Sequence, residues 1–310
     1  MQQILIKWRR CKRKVKTYTL SVSSLCVSFP TRRSMLHAVR DISFQVERGR
    51  TVGIVGESGC GKSVMAFALM RLHPTTANIS GKILFEDRSI MQLPLNGKEM
   101  TGLRGGGMAM IFQEPSRALF PMKTIGAHLL ECIRLHRTND IKKAETIAVE
   151  LLHQVGISEP ERRMKDYPYQ FSGGMAQRVM IAMALAGNPK LLIADEPTTA
   201  LDVTIQAQVL RLLKYLQEKI HMSILFISHD MGVIAQMADE VMVMYMGSIV
   251  EKAPVRSLFS HPLHPYTQAL IASIPSVDKK AARLETIEGT VPQPIGELCG
   301  CSFLLAVKRQ

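Results

Sequence analysis

An apolar run, Thr51 to Val55, leads directly into Gly56-Glu57-Ser58-Gly59-Cys60-Gly61-Lys62-Ser63, and a helical pattern over Lys62 to Leu72 comes next, stopped by Pro74. The glycine spacing fits G-x-x-x-x-G-K-[ST], a loop whose backbone N–H groups curl around phosphate oxygens at the start of a helix. In that pattern Lys62 reaches the β- and γ-phosphates and the Ser63 hydroxyl ligates Mg²⁺. Strand, glycine loop and helix in this order predict a nucleoside triphosphate site on an α/β core.

The remainder of the chain agrees with such a core. Alternating apolar residues predict strands over Tyr18 to Phe29, with a slip at Ser23-Ser24, and over Ala38 to Val46. Met108 to Phe112, Lys190 to Ala194 and Met222 to Ser228 read as buried strands. Helical spacing predicts helices over Ile125 to Leu135, Ile141 to Val155, Met175 to Ala186 and Val203 to Lys219. No strand pattern is evident between Gln113 and about Asn188, so a helical insertion is expected there. The sequence turns Pro- and His-rich after about Pro254, where the edge of the core is expected.

Two further segments carry chemistry. Lys190-Leu191-Leu192-Ile193-Ala194-Asp195-Glu196 is an apolar strand ending in two carboxylates. At the C-terminal end of a strand, Asp195 can face the metal through its hydration shell and Glu196 can polarise an attacking water. Phe171-Ser172-Gly173-Gly174-Met175-Ala176-Gln177-Arg178 is a second glycine turn opening a helix, and hence a second anion site. One chain needs only one phosphate cradle, so the second turn makes most sense closing over a nucleotide held by another subunit.

This glycine loop, the Ser-Gly-Gly turn, the Asp195-Glu196 strand, Ala200-Leu201-Asp202 and His229 stand in the order seen in ATP-binding cassette (ABC) ATPases. The chain resembles that family from about Tyr18 to Glu251. The resemblance implies a P-loop NTPase core with a β-rich N-terminal part, a helical subdomain over about 113–188 and a C-terminal extension. It also implies ATP and Mg²⁺ as cofactors. By resemblance Phe29 stacks on adenine, Gln113 senses Mg²⁺ and water at the hinge of the helical subdomain, and His229 contacts the γ-phosphate. Ser172, Gly173, Gly174 and Gln177 look like the signature that completes a partner's ATP site, and Asp202 like a residue communicating across the dimer.

The run Leu191 to Gln208 and His261-Pro262-Leu263-His264-Pro265-Tyr266-Thr267 resemble the oligopeptide/dipeptide/nickel group of importer ATPases. That group implies two transmembrane permease subunits, a second ATPase subunit (a paralogue or a second copy), an external solute-binding protein, and a place on the cytoplasmic face of the inner membrane. Peptide, nickel and glutathione-like solutes all stand open. Ser116 to Pro121 departs from the stretch usual after the glutamine loop, and Tyr169 and Phe171 replace the more usual His and Leu. The C-terminus begins like the subfamily's cysteine-containing tail but ends differently, and Cys299 with Cys301 are too few thiolates for an Fe–S or zinc site.

Composition sets the outer limits. The chain has 310 residues, 46% of them hydrophobic, enough for a large packed core. Its longest apolar runs, such as Val179 to Ala186, fall far short of the roughly 18 residues a membrane span needs. Of the +13 net charge, seven positive residues with no acid fall within residues 1–16, leaving an excess of six elsewhere. A solvated, disordered basic tail is therefore expected over 1–16, then the ATPase domain over 17–254 and the extension over 255–310. The basic start lacks the apolar stretch of a secretory signal. Six scattered cysteines favour a reducing, cytoplasmic compartment. A soluble ABC ATPase acting on nucleic acid would carry two cassettes or a long coiled coil, so no nucleic-acid partner is expected. A non-catalytic cassette would lack Lys62, Glu196 or His229. Cys60, beside a helix start, is expected to have a lowered thiol pKa and to be an ATP-protected alkylation target.

Overall fold

Strands with no polar alternation must be covered on both faces, and that requirement organises the molecule. The computed structural model describes residues 17–274, except Arg33 and Ala200, together with Phe303. The expected basic tail over 1–16 and the Cys299/Cys301 pair lie outside the described residues, as does most of the chain beyond 274.

Two sheets form the frame. Strands β1 (Tyr18–Pro30), β2 (Met35–Glu47), β4 (Asn78–Phe85) and β5 (Arg88–Ser89) make an antiparallel sheet in the order β2-β1-β4-β5. Strands β3 (Thr51–Val55), β6 (Met108–Ile111), β7 (Leu191–Asp195), β8 (Ser223–Ser228), β9 (Glu240–Tyr245) and β10 (Ser248–Pro254) make the second, in the order β10-β9-β3-β8-β7-β6. All its pairings are parallel except β9 with β10. Every residue of β3, β6, β7 and β8 is buried. Alternate residues face opposite cores. Ile54, Ile193 and Ile227 point toward the antiparallel sheet and the helix after the glycine loop. Val55, Ala194 and Phe226 point into the helical side.

The helices are α1 (Lys62–Leu69), α2 (Lys98–Gly102), α3 (Pro115–Ala118), α4 (Ile125–His136), α5 (Ile141–Gln154), α6 (Pro160–Arg163), α7 (Gly173–Leu185), α8 (Val203–Ile220), α9 (Met231–Met237), α10 (Val255–Ser260) and α11 (Pro265–Ala272). Helices α3 to α7 fill the span between β6 and β7, where the described residues contain no strand. Their starts obey capping chemistry. Thr124, Asp140, Ser172 and Asp202 accept backbone N–H groups at the beginnings of α4, α5, α7 and α8.

Two differences from the sequence expectations have clear causes. The helix expected to reach Leu72 stops at Leu69, and Arg71 adopts a left-handed backbone with φ of 53°. Arg104 ends it, donating from Nε to the Met70 carbonyl at 3.0 Å and from Nη2 to the Arg71 carbonyl at 2.8 Å. Strands β4, β5, β9 and β10 are not among those the alternation predicts: β4 carries a glycine, β5 has two residues, β9 is methionine-rich, and β10 sets Glu251 and Lys252 side by side after Ile249 and Val250. The slip at Ser23-Ser24 is real: the β1–β2 register shifts between Val22 and Leu25, and Ser24 has φ of 49°.

Leu213, fully buried on α8, sets the scale of the core. Leu213→Ala should cost about 2–5 kcal/mol in urea unfolding. Val203→Ala, at a position 83% exposed on the same helix, should stay within about 0.5 kcal/mol.

Candidate active site

The parallel register brings three strand ends level. Val55 pairs with Ser228, and Ile227 pairs with Asp195, so β3, β8 and β7 finish side by side. Each of these ends delivers a reactive group: the glycine loop leaves β3, Glu196 leaves β7 and His229 leaves β8.

The glycine loop fits only glycine at two places. A Cβ at Gly56 would lie 2.2 Å from the Met244 carbonyl oxygen, and one at Gly61, whose φ is 104°, would lie 2.2 Å from that of Ala38. Lys62 is 5% exposed, and its ammonium donates to the Gly56 carbonyl at 2.6 Å and the Glu57 carbonyl at 2.8 Å. Ser58 and Gly59 form the exposed tip of the loop. Burial raises the Glu57 carboxyl above the ordinary carboxylate range, with the Lys62 charge opposing it.

Cys60 corrects the sequence expectation. Its thiol is 1% exposed, and burial pushes its pKa up, outweighing Lys62 Nζ at 3.8 Å. A buried thiol with a raised pKa is a poor nucleophile, so the lowered pKa expected from the sequence is not found.

Next to the loop lies a cleft of about 330 Å³ lined by Ser63, Gln113, Glu114 and Asp195, with Phe67 and Phe112 stacked as its apolar wall. Asp195 is 3% exposed, and its Oδ1 has no hydrogen-bond partner. Burial raises its pKa and the Glu196 charge adds to this, against a hydrogen bond from Ser63 and the charge of Lys62. A buried carboxylate oxygen without a donor is costly unless a cation meets it. An aspartate and a hydroxyl side by side are the hard oxygen donors that suit Mg²⁺, so these residues fit that ion.

Glu196 is the focus of the site. It has φ of 48°, a region a non-glycine residue seldom adopts. Three donors converge on its Oε2: Thr199 Oγ1 at 2.8 Å, Gln113 Nε2 at 3.0 Å and His229 Nδ1 at 3.2 Å. Burial alone would raise this carboxyl, but the bonds from Thr199 and His229, with the charges of His229 and Lys62, hold it below the ordinary range. Asp230 fixes the approach of His229 by capping α9, accepting from the N–H groups of Gly232 and Val233 at 2.7 and 3.2 Å.

The structure therefore gathers Lys62, Ser63, Gln113, Asp195, Glu196 and His229 at one edge. Gly56 to Gly61 lead into that edge as the loop after β3, and the remaining predicted residues lie elsewhere. Phe29 is half-buried on β1, opposite Leu36 and against the core. Ser172 caps α7, accepting from Met175 N–H at 3.4 Å, and Asp202 caps α8, accepting from Ile205 N–H at 2.9 Å. These two helix starts meet, since a Cβ at Gly174 would lie 2.8 Å from Ile205 Cγ2. Gln177 is 2% exposed, with Nε2 unpaired, so it faces the interior rather than a partner's surface. Thr199 is absent from the sequence reading. Its only signal there is a hydroxyl three residues after Glu196.

Comparison with known proteins agrees with this geometry. Residues 39–199 match the ABC transporter family, and residues 250–305 match the oligopeptide/dipeptide transporter C-terminal region. The chain belongs to the ABC transporter family. It is 48% identical over 286 residues to the dipeptide transport ATP-binding protein DppD of Bacillus subtilis, covering 92% of this chain and 85% of that protein. It is also 48% identical over 292 residues to the oligopeptide transport ATP-binding protein OppD of the same organism, covering 93% and 81%. Among solved structures it is similar to an ATP-binding cassette captured as a dimer in a post-hydrolysis state with ADP and Pi. There the TM-score is 0.68 and the identity 26%, over 76% of this chain and 99% of that one. It is also similar to CbiO1 from Clostridium perfringens, part of an ABC transporter complex, at TM-score 0.66 and 25% identity, over 79% and 92%. As a member of this ABC family the chain binds and hydrolyses ATP, and ABC ATP-binding proteins of importers work with transmembrane permease subunits. No helix among the described residues is long and apolar enough to cross a membrane.

The Glu196 network has a pH signature. Its folded pKa lies below the usual 4.5, so its bonds add stability above that value, and the gain is lost as pH falls through the folded pKa. Thr199→Val removes one donor. The variant should be less stable than the parent near neutral pH, with the gap closing in acid, and its hydrolysis should fall about tenfold. The acid limb of its pH–rate profile should also move to higher pH.

Proposed function

We propose that this chain is the ATP-hydrolysing subunit of an ABC importer for peptides, and that Glu196 is the base that activates water. The observation that carries the reading is the convergence of Thr199, Gln113 and His229 on one ionised Glu196 oxygen, beside Asp195 and the phosphate loop. Lys62 would exchange its loop carbonyls for phosphate oxygens of ATP. Ser63 and Asp195 would hold Mg²⁺, which when bound offsets phosphate charge. Gln113 would orient the water on which Glu196 acts, and His229 would meet the γ-phosphate from the neighbouring strand end. Phe29 would supply the ring for adenine.

A second copy or a paralogue would complete the site. Gly173 supports that reading because nothing lies within 4 Å of a Cβ built on it. The isolated fold does not need glycine there, whereas a closely approaching partner surface would. Ser172 and Gly173 at the start of α7 would then face the partner's phosphates, with Asp202 beside them and Gln177 supporting them from within. Peptide as the solute class rests on likeness to DppD and OppD and on the oligopeptide/dipeptide region over 250–305. The chain would work peripherally on the cytoplasmic face of the inner membrane, with two permease subunits fed by an external solute-binding protein. Residues 17–254 would form the ATPase domain, 113–188 its helical subdomain, and 255–310 the importer-type extension.

Gly173→Glu separates folding from assembly. An acid in the first turn of α7 complements the helix dipole, so the free chain should melt at or slightly above the parent temperature, by about 0.3–1 kcal/mol. ATP-dependent dimerisation in gel filtration, in a Glu196→Gln background, should be abolished. Persistent dimers would sink the proposed role of this turn.

A further inference from the structure

The structure ties the phosphate loop to the far end of the chain. Tyr266 on α11 has no exposed surface, and its phenol oxygen accepts the Glu57 N–H at 3.1 Å across 209 residues of sequence. That N–H and the Gly56 carbonyl belong to one peptide unit, and the carbonyl accepts from Lys62 Nζ at 2.6 Å. The first peptide plane of the loop is thus held on both sides, by the lysine and by the tyrosine. Once Lys62 turns to phosphate, the tyrosine still grips that plane.

Everything around Tyr266 fixes its position. His264 Nδ1 accepts the Tyr266 N–H at 3.1 Å, and Pro265 occupies the first turn of α11. The Glu251 carboxylate on β10 accepts the N–H groups of Leu263 and His264 at 2.9 and 3.0 Å. The ring packs against Tyr245 with centroids 4.5 Å apart, and Phe303 closes over it at 5.9 Å. Burial pushes the phenol well above its usual range, so it stays neutral. The His-Pro-Leu-His-Pro-Tyr segment is therefore a clamp whose tip is one hydroxyl.

We infer that Tyr266 is a positioning residue for the nucleotide site, through which the C-terminal extension sets the affinity of the phosphate loop for ATP. The inference rests on the reading of that loop as the ATP cradle. A part-buried N–H deprived of its acceptor favours loop conformations that expose it to water, and those do not cradle phosphate.

The test uses the full chain and a fluorescent ATP analogue. Tyr266→Phe keeps the ring and removes the acceptor. It should weaken nucleotide binding about tenfold while leaving kcat at saturating ATP within about twofold. Amide hydrogen exchange should accelerate in the peptide containing Glu57 and not in α11. Leu270→Ala, which loosens the same helix and keeps the phenol, should lower the melting temperature without weakening ATP binding. Parent-like affinity in Tyr266→Phe, or equal weakening in Leu270→Ala, overturns the inference while leaving the ATPase reading intact. A parent that does not bind ATP overturns both. If Tyr266→Phe fails to fold, exchange in the parent decides: a Glu57 amide as fast as that of exposed Ser58 overturns the inference, and a protected one supports it.

Discussion

The pairing of β8 with β3 on one side and with β7 on the other is the constraint that creates the site. Because Val55 stands opposite Ser228, and Ile227 opposite Asp195, three chain segments leave the sheet at the same height. Crossover helices must carry each strand back to its start, so all three ends fall on one edge. A slip of one residue in any of these strands would turn its apolar residues to the wrong core and move its functional group away. Packing of plain Ile, Val, Leu and Phe therefore fixes the place of Lys62, Asp195, Glu196 and His229.

Charges placed on that edge are costly to bury, and the structure offsets the cost unevenly. Lys62 donates to loop carbonyls, and three donors meet Glu196, whose carboxyl is held below the ordinary range. Asp195 keeps an oxygen without a donor. On the proposed reading, the contrast suits the neighbouring carboxylates to different roles: Glu196 would work on water and Asp195 would meet a cation. Between the two acids the chain turns sharply, with Glu196 in the left-handed region at φ of 48°.

Much of this was legible in the sequence because it is local. The glycine loop, the apolar run of β7 ending in two acids, and the helical spacing of α5 and α8 each carry their signal within a few residues. What was not legible depends on contacts between distant segments. Cys60 reads as activated from its neighbours, yet the Met244 and Ala38 backbone packed around its loop buries it. Gln177 reads as part of an outward-facing signature, yet the helix period turns it inward. Thr199 gains its role only because the turn after β7 folds back on Glu196. Tyr266 stands in a segment readable as a subfamily marker, while its bond to Glu57 spans most of the chain.

Whether Glu196 activates water in an ATP site completed by a second subunit is decided by steady-state ATP hydrolysis of the parent beside Glu196→Gln. Turnover is expected in the parent, with a loss of at least about 100-fold in the variant while ATP binding is retained, and ATP-dependent dimers should accumulate in the variant alone. A variant that hydrolyses ATP within a few-fold of the parent would contradict that role for Glu196.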